Sequence, residues 1–436
     1  MFESIVITVV LLLFLYLLVM GQFISSLLLT VGMIGIYLLG GLPLLDGFIQ
    51  SEPFNRVASY SLTTIPLYIL MAQFILQAGI IKDLYNLVFR ISRGKQGVLG
   101  VLTVFIGGLL GGVSGSGTAT SAALGQIAVP ELKRRGYPDG LAGTLAAVSG
   151  SLSAIIPPSV ILILYGVVAQ ISIGQLFAAS MIPGILLMIS FSLITIVYLR
   201  IYSNKMEAPA TYEKDDDTPI SRYVIVVLAG FFIVGSIFGG IYTGTFTPTE
   251  AGAVGAFISL IVAAVLGKVN KAFFIKSIFE TTKVTVMAMF IVVGASLFGR
   301  FISLSLIPRK IIDLLGPLLD YPVLLIIIIM VFYFFLFMFI EGVAVILMTV
   351  PIISPLLAAI NVDPLWFGIL LAIVCTIGMI TPPVGISVYA VGGVSGISIE
   401  KLFRTSTVFA IIASIIVIGL LILFPELVTW LPSQMN

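Results

Sequence analysis

The chain has 436 residues, of which 60% are hydrophobic and 9% charged, with a net charge of +2; soluble domains carry about 25% charged residues. It contains no histidine and a single cysteine, which excludes histidine metal sites, Ser-His and Cys-His nucleophiles, histidine proton relays and internal disulfides. The near-neutral balance, without a basic block, argues against nucleic acid. The composition is that of an all-α polytopic membrane protein.

Taken in chain order, IVITVVLLLFLYLLVM (5–20) is long enough to cross a bilayer. Glu3 stands where a signal peptide carries a basic residue, so this segment is read as a retained helix. Further apolar stretches follow at 23–40, 57–80, 97–112, 141–168 and 175–199. Between them KDLYNLVFRISRGK (82–95) is amphipathic and suits a helix lying at the cytoplasmic interface. GGVSGSGTATS (111–121) is an island of small polar residues between apolar runs. Its G-V-S-G resembles the nucleophile loop of an intramembrane serine protease, but no histidine base exists. It also lacks the lysine of a phosphate-binding GxxxxGK[ST] loop. VPELKRRGYPDG (129–140) brings the chain out on a basic side, and SLSAIIPPS (151–159) interrupts the next helix with paired prolines.

After the polar linker SNKMEAPATYEKDDDTPISR (203–222) the pattern recurs. GQFISSLLLTVG (21–32) is echoed 223 residues later by GTFTPTEAGAVG (244–255), and SLSAIIPPS by IGMITPPV (377–384). ISIGQLFAAS (171–180) matches ISIEKLFRTS (397–406) at six of ten places. The common order makes this an internal repeat. KVNKAFFIKSIFETTK (268–283) reads as the partner of 82–95, another interfacial helix, and Glu250 in TPTEAGAVG as a helix-capping acid.

If each half has five crossing elements plus one hairpin that enters and leaves on the same side, the halves are inverted. The 21 Lys and Arg residues then split 17 to 4, with only Arg56, Arg300, Arg309 and Lys310 on the poor side. The positive-inside rule favours that arrangement and puts both termini outside. The first repeat is expected over 1–202, with a re-entrant hairpin at 97–136 and a broken helix at 138–168. A cytoplasmic linker covers 203–221. The second repeat covers 222–436, with a hairpin at 321–361 and a broken helix at 364–392.

Such doubled breaks at mid-membrane are a transporter design. Non-helical backbone at depth survives only inside protein or against a wet cavity. The carbonyls of Ala154, Ile155, Met379 and Ile380 are candidates to lie free, beside the hydroxyls of Ser114, Ser116, Thr118 and Ser153. At the outer tip, Ser116-Gly117 aligns on Glu341-Gly342 in FIEGVAV, with oxygens also from Thr376 and Thr381. A sodium ion wants several such oxygens. A carboxylate at depth, Glu341, is costly and usually functional, the alternative being a helix-capping acid. Ser116, Thr120, Glu341 and Arg300 are the candidate substrate contacts, although Arg300 reads better as a surface anchor.

The words GGVSGSGTATSAALG, VPELKRRGYPDGLAGTLAAVSGSLSAIIPPS, TPTEAGAVGA and TPPVGISVYAV resemble the large membrane subunit of the tripartite ATP-independent periplasmic (TRAP) transporters, within the ion-transporter superfamily. The resemblance covers essentially the whole chain. It implies a sodium-driven elevator transporter in the inner membrane, working with a separate four-helix membrane subunit and a periplasmic substrate-binding protein that delivers a small organic acid. Carried over by position, one sodium site falls on Ser114, Gly115, Ser116, Gly117 and Thr118 with Ser151, Ser153, Ile155 and Pro157. The other falls on Glu341 and Gly342 with Thr376, Gly378, Met379, Thr381 and Pro383. No cofactor is expected beyond coupling sodium ions, and no enzymatic activity. The alternatives are a stand-alone ion-coupled carboxylate transporter and a non-transporting membrane scaffold.

Overall fold

The computed structural model describes residues 2–93, 95–202 and 219–435, so most of the linker, 203–218, lies outside the described residues. Those residues are helical and connected by turns, without a strand. Nine helices among them are long and apolar enough to cross a bilayer.

The first half opens with α1 (Phe2–Val19) and α2 (Ile24–Val57). Inside α2, Gly41 sits at φ 72° and ψ −175°, a conformation that only glycine adopts without strain, and the helix kinks there. Next come α3 (Thr64–Gln77) and the amphipathic α4 (Ile80–Ser92). A helical hairpin, α5 (Gln96–Ser114) and α6 (Gly117–Arg134), precedes α7 (Asp139–Ser151) and α8 (Val160–Ala169). The long α9 (Ile173–Ile201) completes this half.

The second half begins with α10 (Ile220–Tyr242) and α11 (Pro248–Val265). Pro248 occupies the first turn of α11, and Thr247 and Glu250 form a reciprocal capping box. The Glu250 carboxylate accepts from the Thr247 amide at 2.8 Å, which is the capping role the sequence assigns it. Then follow α12 (Lys271–Leu304), the short amphipathic α13 (Ile307–Leu315), and a second hairpin, α14 (Pro322–Phe339) and α15 (Gly342–Ala359). A second interrupted helix consists of α16 (Pro364–Gly378) and α17 (Ile386–Ser395). The chain closes with α18 (Ile399–Ala413), a π-helical turn, α19 (Gly419–Leu423) and α20 (Glu426–Ser433).

One expectation is corrected here. Residues 271–283 are not a separate interfacial helix but the first third of the 34-residue α12. No glycine or proline stands between Lys271 and Val293 to break it. At about 1.5 Å per residue it reaches about 51 Å, well beyond a core of about 30 Å. In chain order the counterpart of α4 is α13, each lying between a span and a hairpin, so the expected equivalence of 82–95 with 268–283 does not hold.

Lipid supplies no hydrophobic force between helices, so close approach of small residues carries the packing. Gly32 and Gly35 of α2 bring its backbone against Leu297, Phe298 and Phe301 of α12. Phe14 of α1 stacks on Phe298 at 5.4 Å. Thr64 of α3 meets Thr249 of α11 through their hydroxyls at 2.7 Å. A second packed group joins the hairpins to the interrupted helices and α18. There Tyr165 of α8 donates to the Pro364 carbonyl at 2.6 Å, and Thr144 of α7 donates to the Leu402 carbonyl at 3.3 Å. Asp139, at the start of α7, pairs with Lys133 of α6 at 2.8 Å and lies 3.9 Å from Lys401 of α18.

Candidate functional site

The two hairpin tips are built alike. Gly115 ends α5 in the left-handed region (φ 64°), its amide donating back to the Gly111 carbonyl. Ser116 is extended and caps α6, accepting from the Ala119 amide at 3.4 Å. At the other tip Ile340 is extended, and Glu341 caps α15 by accepting from the Ala344 amide at 3.4 Å. The capping spacing is the same, so Ser116 and Glu341 occupy corresponding positions, as their alignment in the sequence suggests. The capping alternative for Glu341 is thus the contact the structure shows; its side chain is exposed.

Both tips meet the interrupted helices. Gly111 lies so close to Ser153 that a methyl group on it would sit 2.9 Å from the Ser153 amide nitrogen. A methyl on Gly117 would lie 3.0 Å from Ser153 Oγ and 2.5 Å from Met379 Cε, so the first tip touches both interruptions. A methyl on Gly342 would lie 2.5 Å from Cys375 Sγ and 2.6 Å from Ile161 Cδ1; on Gly378 it would lie 2.5 Å from Phe337 Cβ. The predicted residues of the two tips and the two breaks therefore adjoin one another in one region, part buried and part exposed.

Within it the hydroxyls and carbonyls are largely engaged. Ser114 and Thr120 hydrogen-bond to each other, and Thr120 Oγ1 donates to the Ser116 carbonyl at 2.9 Å. Thr120 is buried. Ser151 donates to the Val148 carbonyl at 3.0 Å, Thr376 to that of Ala372 at 2.8 Å, and Thr381 to that of Ile377 at 2.7 Å. A hydroxyl that donates in this way still offers lone pairs to a cation. Gly115, Ser114 and Thr118 are half-buried, Ser116 and Pro383 exposed, and Ser153, Ile155, Pro157 and Met379 buried. Both Pro157-Pro158 and Pro382-Pro383 are cis.

The carbonyls expected to be free are mostly not. Ala154 accepts from Ser159 Oγ at 2.8 Å, Met379 from the Ser387 amide at 3.0 Å, and Ile380 from Ser406 Oγ at 2.7 Å. Among the described residues, only Ile155 of the four has no donor. The paired prolines do remove helix donors, but Ser159 and Ser387 just beyond the breaks, and Ser406 of α18, replace them, each carbonyl keeping a second lone pair. Ser159, Ser387 and Ser406 are accordingly part of the site although sequence reasoning passed them over. Ser406 was signalled, since ISIGQLFAAS and ISIEKLFRTS both end on that serine. The Ser387 hydroxyl is buried without a hydrogen-bond partner among the described residues, while its amide donates to the Met379 carbonyl.

Arg300 is not brought to the tips. Its guanidinium lies over the Phe48 ring at 4.4 Å, joining α12 to α2. Around the breaks, α5, α7, α14 and α16 end with their carbonyl termini, and α6, α8, α15 and α17 begin with their amide termini. The first set favours cations and the second anions.

A family model described as the DctM component of the tripartite ATP-independent periplasmic transporter matches residues 11–427. The chain is 29% identical over 387 residues to the sialic acid TRAP transporter large permease protein SiaM of Vibrio cholerae, covering 88% of this chain and 89% of that one. It is 30% identical over 381 residues to the C4-dicarboxylate TRAP transporter large permease protein DctM of Pseudomonas aeruginosa, covering 87% and 86%. To the 2,3-diketo-L-gulonate TRAP transporter large permease protein YiaN of Escherichia coli it is 31% identical over 351 residues, covering 80% and 81%. Among solved structures the fold is similar to the YdaH transporter of Alcanivorax borkumensis, with a TM-score of 0.71 at 15% identity, covering 98% of this chain and 99% of that one.

Proposed function

The chain belongs to the DctM family of TRAP transporters, as a multi-pass large permease subunit that works with a binding protein, and from that membership we propose that it couples inward sodium flow to uptake of a small organic acid. The relatives are named for sialic acid, a C4-dicarboxylate and 2,3-diketo-L-gulonate, whose shared chemistry is a carboxylate. The observation that carries the reading is the meeting of both hairpin tips with both interrupted helices. It gathers neutral oxygens and carbonyl-terminated helix ends for a cation beside amide-terminated ends for an anion. The binding protein delivers the acid from the periplasm, a separate small membrane subunit completes the permease, and the tip-bearing group carries the cargo across as an elevator. The basic-residue asymmetry supports an orientation with both termini in the periplasm, and the proposed location is the inner membrane.

The driving force is adequate. One charge moving through 100 mV releases about 2.3 kcal/mol, and a tenfold gradient adds about 1.4 kcal/mol. Two sodium ions supply roughly 7 kcal/mol, against about 2.3 kcal/mol for bringing in one monoanion. The difference accumulates substrate several hundred- to several thousand-fold, without a nucleotide.

The test is uptake in proteoliposomes with the small subunit and binding protein present, comparing the wild type with Ser116→Leu. The substitution is expected to raise the sodium concentration needed for half-maximal uptake. Unchanged sodium dependence removes the first tip from the coupling site.

A further inference from the structure

We propose that the groove between α4 and the start of α10 binds an anionic phospholipid of the cytoplasmic leaflet, with Arg90 and Arg93 on its phosphate and the α10 wall along an acyl chain. The groove is open along one side, with a volume of about 760 Å³, and its walls include Leu87, Ile91, Ile220, Val224, Val227 and Leu228.

Arg90 and Arg93 are three residues apart, at the end of α4, and both are exposed. Neither has an acidic partner among the described residues. Asp83, the one acid of α4, is already held by Arg222 at 2.8 Å. Arg90 rests over the Tyr223 ring at 6.0 Å, which orients it toward the groove between the two helices. Two cations thus face a groove whose other lining is apolar and uncovered: Ile91, Ile220, Val224, Val227 and Leu228 are 57%, 65%, 50%, 47% and 49% exposed.

The order of these groups along the membrane normal selects a lipid. α10 is a candidate span that starts beside the linker, on the side rich in basic residues, so Ile220 lies at headgroup level. Leu228 is eight residues further along, about 12 Å deeper at 1.5 Å per residue. Charge at the surface with an apolar wall running into the acyl region complements a phospholipid; a soluble phosphate has no use for the wall. Basic pockets on the cytoplasmic side of helical membrane proteins bind such headgroups. A lipid seated there bridges the two halves beside the Asp83–Arg222 pair.

The test is native mass spectrometry of the transporter purified from membranes, titrated with phosphatidylglycerol or phosphatidylcholine. The wild type is expected to hold one phosphatidylglycerol in preference to phosphatidylcholine. One basic side chain at an anionic surface is worth roughly fivefold in association, so Arg90→Gln with Arg93→Gln lowers phosphatidylglycerol affinity by about 25-fold. Arg90→Lys with Arg93→Lys keeps most of it, and Val227→Trp, which fills the wall without touching charge, weakens it. The lysine pair and Val227→Trp still decide the matter should the glutamine pair fail to fold. The proposal is overturned if the glutamine pair retains the preference, if Val227→Trp leaves phosphatidylglycerol affinity unchanged, or if inorganic phosphate at matched ionic strength displaces the lipid.

Discussion

The docking of the second hairpin on its interrupted helix can be tested with two alanines. At Gly378 an added Cβ would lie 2.5 Å from Phe337 Cβ and 3.0 Å from the Phe337 carbonyl carbon. Comfortable carbon contacts are about 3.5–4.0 Å, so α14 and α16 must separate by roughly 1 Å at that point. The obstacle is backbone and the base of a side chain, which cannot swing aside. Overpacking of this kind costs about 1–3 kcal/mol, here toward the upper end, offset by about 1 kcal/mol of helix propensity gained by replacing glycine. The net loss is about 1–2 kcal/mol, or roughly 5- to 30-fold in an equilibrium constant. At Gly393 in α17 nothing lies within 4 Å of the added Cβ, so only the propensity gain remains, up to about 1 kcal/mol. Thermal unfolding in detergent should show Gly378→Ala below the wild type and Gly393→Ala at or above it. Equal unfolding midpoints for the two variants would refute the close approach of α14 to Gly378.

Two further outcomes follow from the structure. In the Asp83–Arg222 pair the aspartate side chain is 7% exposed and the arginine 29%, so Arg222→Ala strands the more buried charge. It should cost about 3 kcal/mol, against about 1–2 kcal/mol for Asp83→Ala, where the arginine can rehydrate; thermal unfolding showing the opposite ranking would contradict this. Cys375, the single cysteine, is buried beneath Gly342, so a membrane-impermeant maleimide should leave it unmodified in the folded protein and label it fully in denaturant. Prompt labelling of the native protein would show that the tip is not seated on α16.

What the sequence made legible was whatever interrupts a long apolar run. GGVSGSGTATS and the two paired prolines announce the first tip and both breaks, because so dense a run of glycine and serine, or two prolines in succession, works against a continuous helix. Thr247, Pro248 and Glu250 announced their cap by spacing alone. Features decided by distant packing were not legible. Nothing local shows that Ser406 reaches Ile380 across 26 residues, or that Arg300 spends its charge on Phe48. Amphipathic periodicity misled at 271–283, since it reports a polar face but not whether the helix ends; the absence of a breaker before Gly294 was the better signal.

The same reasoning separates the two tips, which share geometry but not chemistry. Each places an N-cap oxygen on the amide three residues ahead, Ser116 on Ala119 and Glu341 on Ala344. A serine satisfies that amide and leaves the helix terminus able to attract an anion. A carboxylate at the same place brings its own charge and offsets the positive terminus of α15. If the tips were only packing devices, the smaller neutral cap would serve in both, because an ionisable group at membrane depth is costly. The unequal caps therefore argue for unequal ligand roles. On the transport function proposed above, the first tip, bounded by Ser153 and Met379, is assigned to the site where cation and carboxylate meet. The second places a carboxyl group beside Cys375. On this view Glu341→Gln should weaken sodium dependence with little change in the preference for acid substrates, whereas Ser116→Asp, which copies the charged cap to the first tip, should weaken substrate uptake at every sodium concentration. Proteoliposome uptake at varied sodium separates the two, and identical effects from both substitutions would show that the tips are interchangeable.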